Sequence, residues 1–131
     1  MISQKSLDYL IHLYSRPDRY YHNIIHIAHC LRELSEVENV DNMAAMEIAI
    51  WFHDAVYNPM CDYNEKMSAD LVSKVIGISS KEIENLILDT KHDREPATHD
   101  GKTITDIDLA ILGQQQEIFN EYERNIRLEY S

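Results

Sequence analysis

Apolar residues recur at helical spacing along nearly the whole chain, and no stretch sustains the two-residue alternation of a half-buried strand. That periodicity predicts an all-α helical bundle. Leu7, Leu10, Ile11 and Tyr14 form an i, i+3, i+4, i+7 stripe, which Pro17 ends because a proline disfavours helical backbone in the residue before it. A second helix starts near Asn23, with Ile24, Ile27, Ala28, Leu31 and Leu34 on one face. His22, His26 and His29 lie on the neighbouring face, four and three residues apart. A third helix is expected from about Asn42 to Tyr57, with Asp41 as its N-cap and Asn58-Pro59 as its stop. Met43, Met46, Ile50 and His53 share one stripe of it, which sets His53 at the inner end of a buried helix.

A fourth helix begins around Asp62 to Asn64 and ends at Gly77, a residue suited to the left-handed C-terminal cap. Ser79 followed by Glu82 makes a capping-box signature for a fifth helix reaching Thr90. Asp93 to Lys102, polar and carrying Pro96 and Gly101, reads as a loop. A short helix from Asp106 to Leu112 follows, and after Gly113 a last amphipathic helix runs through Ile118, Phe119, Tyr122 and Ile126.

At 131 residues the chain suits one domain spanning 1–131. A net charge of −11 leaves no broad basic footprint, which argues against binding nucleic-acid polymers or an anionic membrane surface. A small phosphorylated ligand stays admissible, because a bound cation reverses the potential inside a single cleft. The N-terminal MISQKSLDYL lacks the basic and apolar regions of a leader, and no run is long enough to span a bilayer. A cytoplasmic protein is expected. Cys30 and Cys61 sit in no CxxC or Cys/His zinc spacing and read as reduced core or near-surface thiols.

The adjacent His53 and Asp54 carry the chemistry. An imidazole and a carboxylate side by side at the end of an apolar helix can grip a divalent cation if other segments supply further ligands. His26 upstream and Asp108 downstream complete an H…HD…D set of nitrogen and oxygen donors, which suits a six-coordinate borderline or hard metal better than a thiolate zinc site. A single helical histidine is more often a hydrogen-bonded core residue than a ligand, so the argument rests on the combination.

Three blocks in order strengthen it: RYYHNIIHIAHCLREL from Arg19 to Leu34, IAIWFHDAVYNPMCDYNEKMSA from Ile48 to Ala69, and TDIDLAILGQ from Thr105 to Gln114. Together they resemble the HD-domain superfamily of metal-dependent phosphohydrolases, and more narrowly its predicted metal-dependent HD phosphohydrolase branch. The resemblance implies an HD-domain-like helical bundle that hydrolyses a phosphoester or phosphoanhydride of a small metabolite or nucleotide. It implies one divalent ion (Mn²⁺, Fe²⁺, Mg²⁺ or another first-row metal) held by His26, His53, Asp54 and Asp108. Asp106 competes with Asp108; on a helix the two point about 200° apart, so one reaches the metal. Asp108 is favoured, because the family places its aspartate before an apolar run, here Leu109 to Leu112.

The remaining candidates have structural alternatives of comparable weight. Glu65, in the NE-x-x-SA block, suits orienting or deprotonating the attacking water beside Asp54, yet Asp62 and Glu65 also form a helix-capping pair. Arg19, His22 and His92 are candidates to hold substrate phosphate, with His92 also a ligand candidate for a second metal. Arg19 reads equally as a surface cation and His92 as a solvated loop residue. Trp51 and Phe52 read as core rather than as a stacking platform. Members of the family continue beyond the ERNIRLEY-like segment, so an end at Ser131 would leave Ile118, Phe119, Tyr122 and Ile126 to be covered by a partner or a second copy. The rival reading is a catalytically silent HD-fold domain that binds metal or nucleotide.

Overall fold

The computed structural model describes residues 2–17, 19, 23–58, 60–110 and 124–129. Six helices occupy them: α1 (Gln4–Tyr14), α2 (Ile24–Ser35), α3 (Met43–Phe52), α4 (Asn64–Ile76), α5 (Lys81–Asp89) and α6 (His99–Asp108). Residues 124–129 are also helical, and no strand occurs among the described residues. None of the helices is long and apolar enough to cross a membrane. Of the face expected at the last helix, Ile126 is exposed, while Ile118, Phe119 and Tyr122 lie outside the described residues.

The all-α architecture follows from the apolar stripes, and α3 is its axis. Ala45, Met46, Ile48, Ala49, Ile50 and Phe52 are all buried, so this helix presents apolar surface nearly all round and packs against α2, α4, α5 and α6. Leu10 and Tyr14 of α1, Ile27, Cys30 and Leu34 of α2, Ile83, Leu86 and Ile87 of α5, and Ile104 and Ile107 of α6 close the core around it.

Short polar side chains set the helix starts. Asn23 caps α2, its side-chain oxygen accepting from the backbone of Ile25 and His26. The caps of α3 and α5 are Asn42 and Ser80, each one residue later than expected; Asn42 accepts from Ala45 N and Ser80 from Ile83 N. The preceding Asp41 gives its own N–H, as Asn42 does, to the buried carboxylate of Asp100 at 2.9 Å, so α6 reaches across to finish the N-terminus of α3. Gly77 ends α4 in the left-handed conformation (φ 73°), as expected.

Two segments depart from the sequence reading. Helix α3 stops at Phe52 rather than near Tyr57, which leaves His53 as its C-cap and Asp54 in the turn beyond. Helix α6 starts at His99, inside the stretch read as a loop, with Thr98 accepting from Gly101 N as its cap. Gly101 looks like a breaker in sequence but serves packing here, since a β-carbon would run into the Asp89 carboxylate and stand only 3.0 Å from Thr98 Oγ1. Asp108 is therefore the last residue of a helix, where the sequence places it in the first turn of one.

Candidate metal centre

His26 comes from the first turn of α2, His53 caps α3, Asp54 follows it, and Asp108 ends α6. The folding of these elements on one another brings the four side chains together. Asp108 Oδ1 lies 2.8 Å from His26 Nε2 and 3.1 Å from His53 Nε2. Asp54 Oδ2 lies 3.2 Å from His53 Nε2 and 3.8 Å from His26 Nε2. Asp106, by contrast, is exposed, and of the two aspartates it is Asp108 that joins the cluster. The other Asp108 oxygen, Oδ2, meets His92 Nε2 at 2.7 Å.

These separations fit donors that share one cation. Two ligands held at about 2.0–2.1 Å stand about 2.9 Å apart at a right angle and about 3.4 Å apart at the tetrahedral angle. Only the 3.8 Å pair is wide of that range. His53 Nδ1 donates to the carbonyl of Ile50 at 2.7 Å, which fixes the ring and aims Nε2 at the centre. Cys30, one turn along α2 from His26, also belongs here: one donor atom each from His26, Cys30, His53 and Asp108 lie within 4.8 Å of one another, a group that could hold a metal ion. Cys30 is a free, buried core thiol and Cys61 a free, half-buried one, as expected; the place of Cys30 beside the histidines was not foreseen. Its i, i+4 spacing from His26 on a predicted helix was the available signal.

The electrostatics of the cluster are those of imidazoles that hold their protons against carboxylates. Burial opposes charge on His26, but its hydrogen bond to Asp108, aided by Cys30, outweighs it and raises the imidazole to about 10. Burial likewise opposes charge on His53, and Asp54 and Asp108 overcome it, holding His53 well above its ordinary value. Asp108 is held well below the usual carboxylate range, because His53, His26 and His92 together outweigh its burial. A divalent cation would take the place of protons already drawn to this spot.

The turn that carries His53 and Asp54 is braced from behind. Tyr14, fully buried, donates its hydroxyl to Trp51 O at 2.8 Å and accepts from Asp54 N at 3.2 Å. Arg19 is also buried and donates to the carbonyls of Asp54 (2.6 Å) and Ala55 (2.8 Å), with its guanidinium over the Tyr14 ring. This corrects the reading of Arg19 as a surface cation. It clamps the backbone of the turn that follows His53 and is not among the residues that line the cleft described below. Asn64 and Ser68 hold the following loop: Asn64 accepts from Asn58 N and donates to the carbonyls of Asn58 and Cys61, and Ser68 Oγ accepts from Val56 N.

A cleft of about 230 Å³ opens over the cluster, lined by His26, Asp54, Glu65, Thr90, Lys91, His92, Asp108 and Leu109. Glu65 lies in the first turn of α4, but the N-cap there is Tyr63 with no side-chain cap bond, so the Asp62–Glu65 capping pair does not form. Burial pushes the Glu65 carboxyl up, with the charge of Asp54 adding to it. His92 holds a left-handed backbone (φ 62°), the only such non-glycine among the described residues, and its ring faces Asp108 instead of solvent alone. Lys91, which the sequence did not single out, also lines the cleft, and its ammonium pairs with Asp93 at 3.5 Å. Phe52 is core, as expected, and Trp51 lines a different hollow with Ile2, Leu7 and Ile48. His22 lies outside the described residues. No protein-family model, curated protein or solved structure matches the chain.

Proposed function

We propose that this chain is a metal-dependent phosphohydrolase of the HD-domain superfamily, cleaving a phosphoester or phosphoanhydride in a small phosphorylated metabolite or nucleotide. The observation that carries the reading is the convergence of His26, His53, Asp54 and Asp108, at ligand-to-ligand spacing, on the floor of a cleft that also holds Glu65, Lys91 and His92. A divalent cation held by those four residues would supply Lewis acidity toward a phosphoryl oxygen and lower the pKa of a nearby water.

The chain's own groups have distinct tasks around that centre. Glu65, its carboxyl raised by burial, is suited to accept a proton from the attacking water and so work as general base. Lys91 and His92 face the same space and can hold the non-bridging phosphoryl oxygens, with Lys91 acting as a mobile point charge. Tyr14 and Arg19 keep the His53–Asp54 turn rigid, so that Asp54 does not relax away from the cation. The cleft has room for a phosphoryl group and part of what it is attached to. A neighbouring recess of about 320 Å³ shares Glu65 and Lys91 with it and adds Tyr63, Lys66, Leu88 and Arg94, which gives the leaving group a mixed apolar and charged surface.

A panel of nucleotides and phosphorylated metabolites, assayed with added Mn²⁺, tests the proposal. Phosphate release that disappears in His53→Ala and in Asp54→Ala is expected. Metal-dependent nucleotide binding with no turnover anywhere in the panel would overturn the enzyme in favour of a silent binding domain. Activity that survives both substitutions would place the chemistry elsewhere.

A further inference from the structure

We propose that the Cys30 thiol is itself a ligand of the bound cation, which makes the centre a mixed nitrogen, oxygen and sulfur site that selects Zn²⁺, Fe²⁺ or Co²⁺ over Mg²⁺. The inference rests on the metal-centre reading above and deepens it. Cys30 is buried (1% exposed) and follows His26 by four residues on α2, so both side chains leave the same face of that helix. Its Sγ lies 3.7 Å from His26 Nε2. A sulfur at about 2.3 Å and a nitrogen at about 2.0–2.1 Å from one cation stand about 3.1 Å apart at a right angle and about 3.8 Å apart at 120°, the angles of a five-coordinate ion, and the observed separation falls inside that range. The sulfur also lies within 4.8 Å of a donor atom on each of His53 and Asp108.

The chemical consequence follows from ligand softness. Oxygen and nitrogen donors alone leave Mg²⁺ and Mn²⁺ admissible, whereas a thiolate raises the affinity for softer first-row ions and does nothing for Mg²⁺. Ligation breaks the S–H bond and forms a sulfur–metal bond, with the proton released to solvent alongside those leaving the imidazoles.

Cobalt spectroscopy separates the inference from the reading it rests on. Metal-free protein is titrated with Co²⁺ and its absorption recorded from the near ultraviolet through the visible. The expected result is visible ligand-field bands together with a near-ultraviolet sulfur-to-cobalt charge-transfer band. Since Cys30 and Cys61 are the chain's two cysteines, Cys61→Ser must keep that band, while Cys30→Ser and Cys30→Ala must lose it and keep the visible bands. Loss of at least ~10-fold in Zn²⁺ affinity is expected in Cys30→Ser, with Mg²⁺ affinity unchanged. Ligand-field bands without charge transfer in the wild type would overturn the role of Cys30 and leave the metal centre standing; so would a charge-transfer band lost in Cys61→Ser. Absence of any cobalt band would overturn both.

Discussion

Replacing Asp108 by asparagine keeps the shape of the side chain and removes the charge that holds protons on His26. The size of the effect can be worked out. An imidazole raised from its ordinary 6.5 to about 10 stabilises the folded state fully below 6.5 and loses that contribution as pH climbs toward 10. At about pH 7.5 the remaining two and a half units, at about 1.36 kcal/mol each, amount to about 3 kcal/mol. The general cost of removing one partner from a buried ion pair, about 3–5 kcal/mol, agrees. His53 keeps Asp54 at 3.2 Å as a counter-charge, whereas His26 is left with Asp54 at 3.8 Å, so the loss falls mainly on His26. Urea unfolding of EDTA-treated protein, followed by far-ultraviolet circular dichroism, should show the midpoint of Asp108→Asn lowered by about 1.5–2 M at about pH 7.5. The deficit should shrink to under about 1 kcal/mol at about pH 10, where the wild type has also released its proton. A deficit below about 0.5 kcal/mol at the lower pH, or one that persists undiminished at the higher, would refute the ion-pair account.

Three further outcomes are expected. Thermal stability of the metal-free wild type should fall as pH rises from about 6.5 toward 10, since His26 and His53 bind more protons folded than unfolded; saturating Zn²⁺, which holds both imidazoles neutral in the folded state, should abolish that decline, and a flat metal-free profile by calorimetry would contradict the raised values. Asn64→Ala removes three hydrogen bonds from the loop after Asp54 and should lower stability by about 2–3 kcal/mol in chemical denaturation, with a weaker metal affinity; unchanged stability would mean that the loop is held by other contacts. At His92 the left-handed backbone makes glycine the better replacement, so His92→Gly should be at least as stable as His92→Ala while both weaken phosphate-ester KM; a more stable alanine variant by calorimetry would show that the turn relaxes.

The helices around α3 were readable because each carries both an apolar stripe and a capping residue. The starts of α3 and α5 were misplaced by one residue because capping residues stand in tandem at Asp41-Asn42 and Ser79-Ser80. Which member caps depends on the reach of its oxygen to a backbone N–H, and at Asp41 the backbone is instead engaged by Asp100 from 59 residues away. Helix α6 was hidden for a related reason. Its first turn contains Gly101, a poor helix former on its own, kept small by the buried Asp89 carboxylate of α5.

The candidate site divides in the same way. The H…HD…D pattern was legible because each residue type and its element could be placed from sequence, and the fold sets His26, His53 and Asp108 against one another with Asp54 beside His53. Arg19 was not: its role is set by carbonyls 35 and 36 residues downstream, and nothing local to Arg19 reveals them. Lys91 and the unusual backbone of His92 depend on where α5 ends relative to α6, which no periodicity encodes. The placing of Cys30 beside His26 was legible, since residues four apart on a helix share a face.

His26, His53, Asp54 and Asp108 are proposed to build a centre for one divalent cation. Elemental analysis tests it most directly: wild type, His53→Ala and Asp54→Ala are stripped with chelator, dialysed against Zn²⁺ or Mn²⁺, freed of unbound ion and assayed for metal per chain. Retention of about one equivalent by the wild type, with loss in both variants while their circular dichroism stays helical, is the predicted result. Equal metal content in all three proteins, or none in the wild type under any loading condition, would contradict the account.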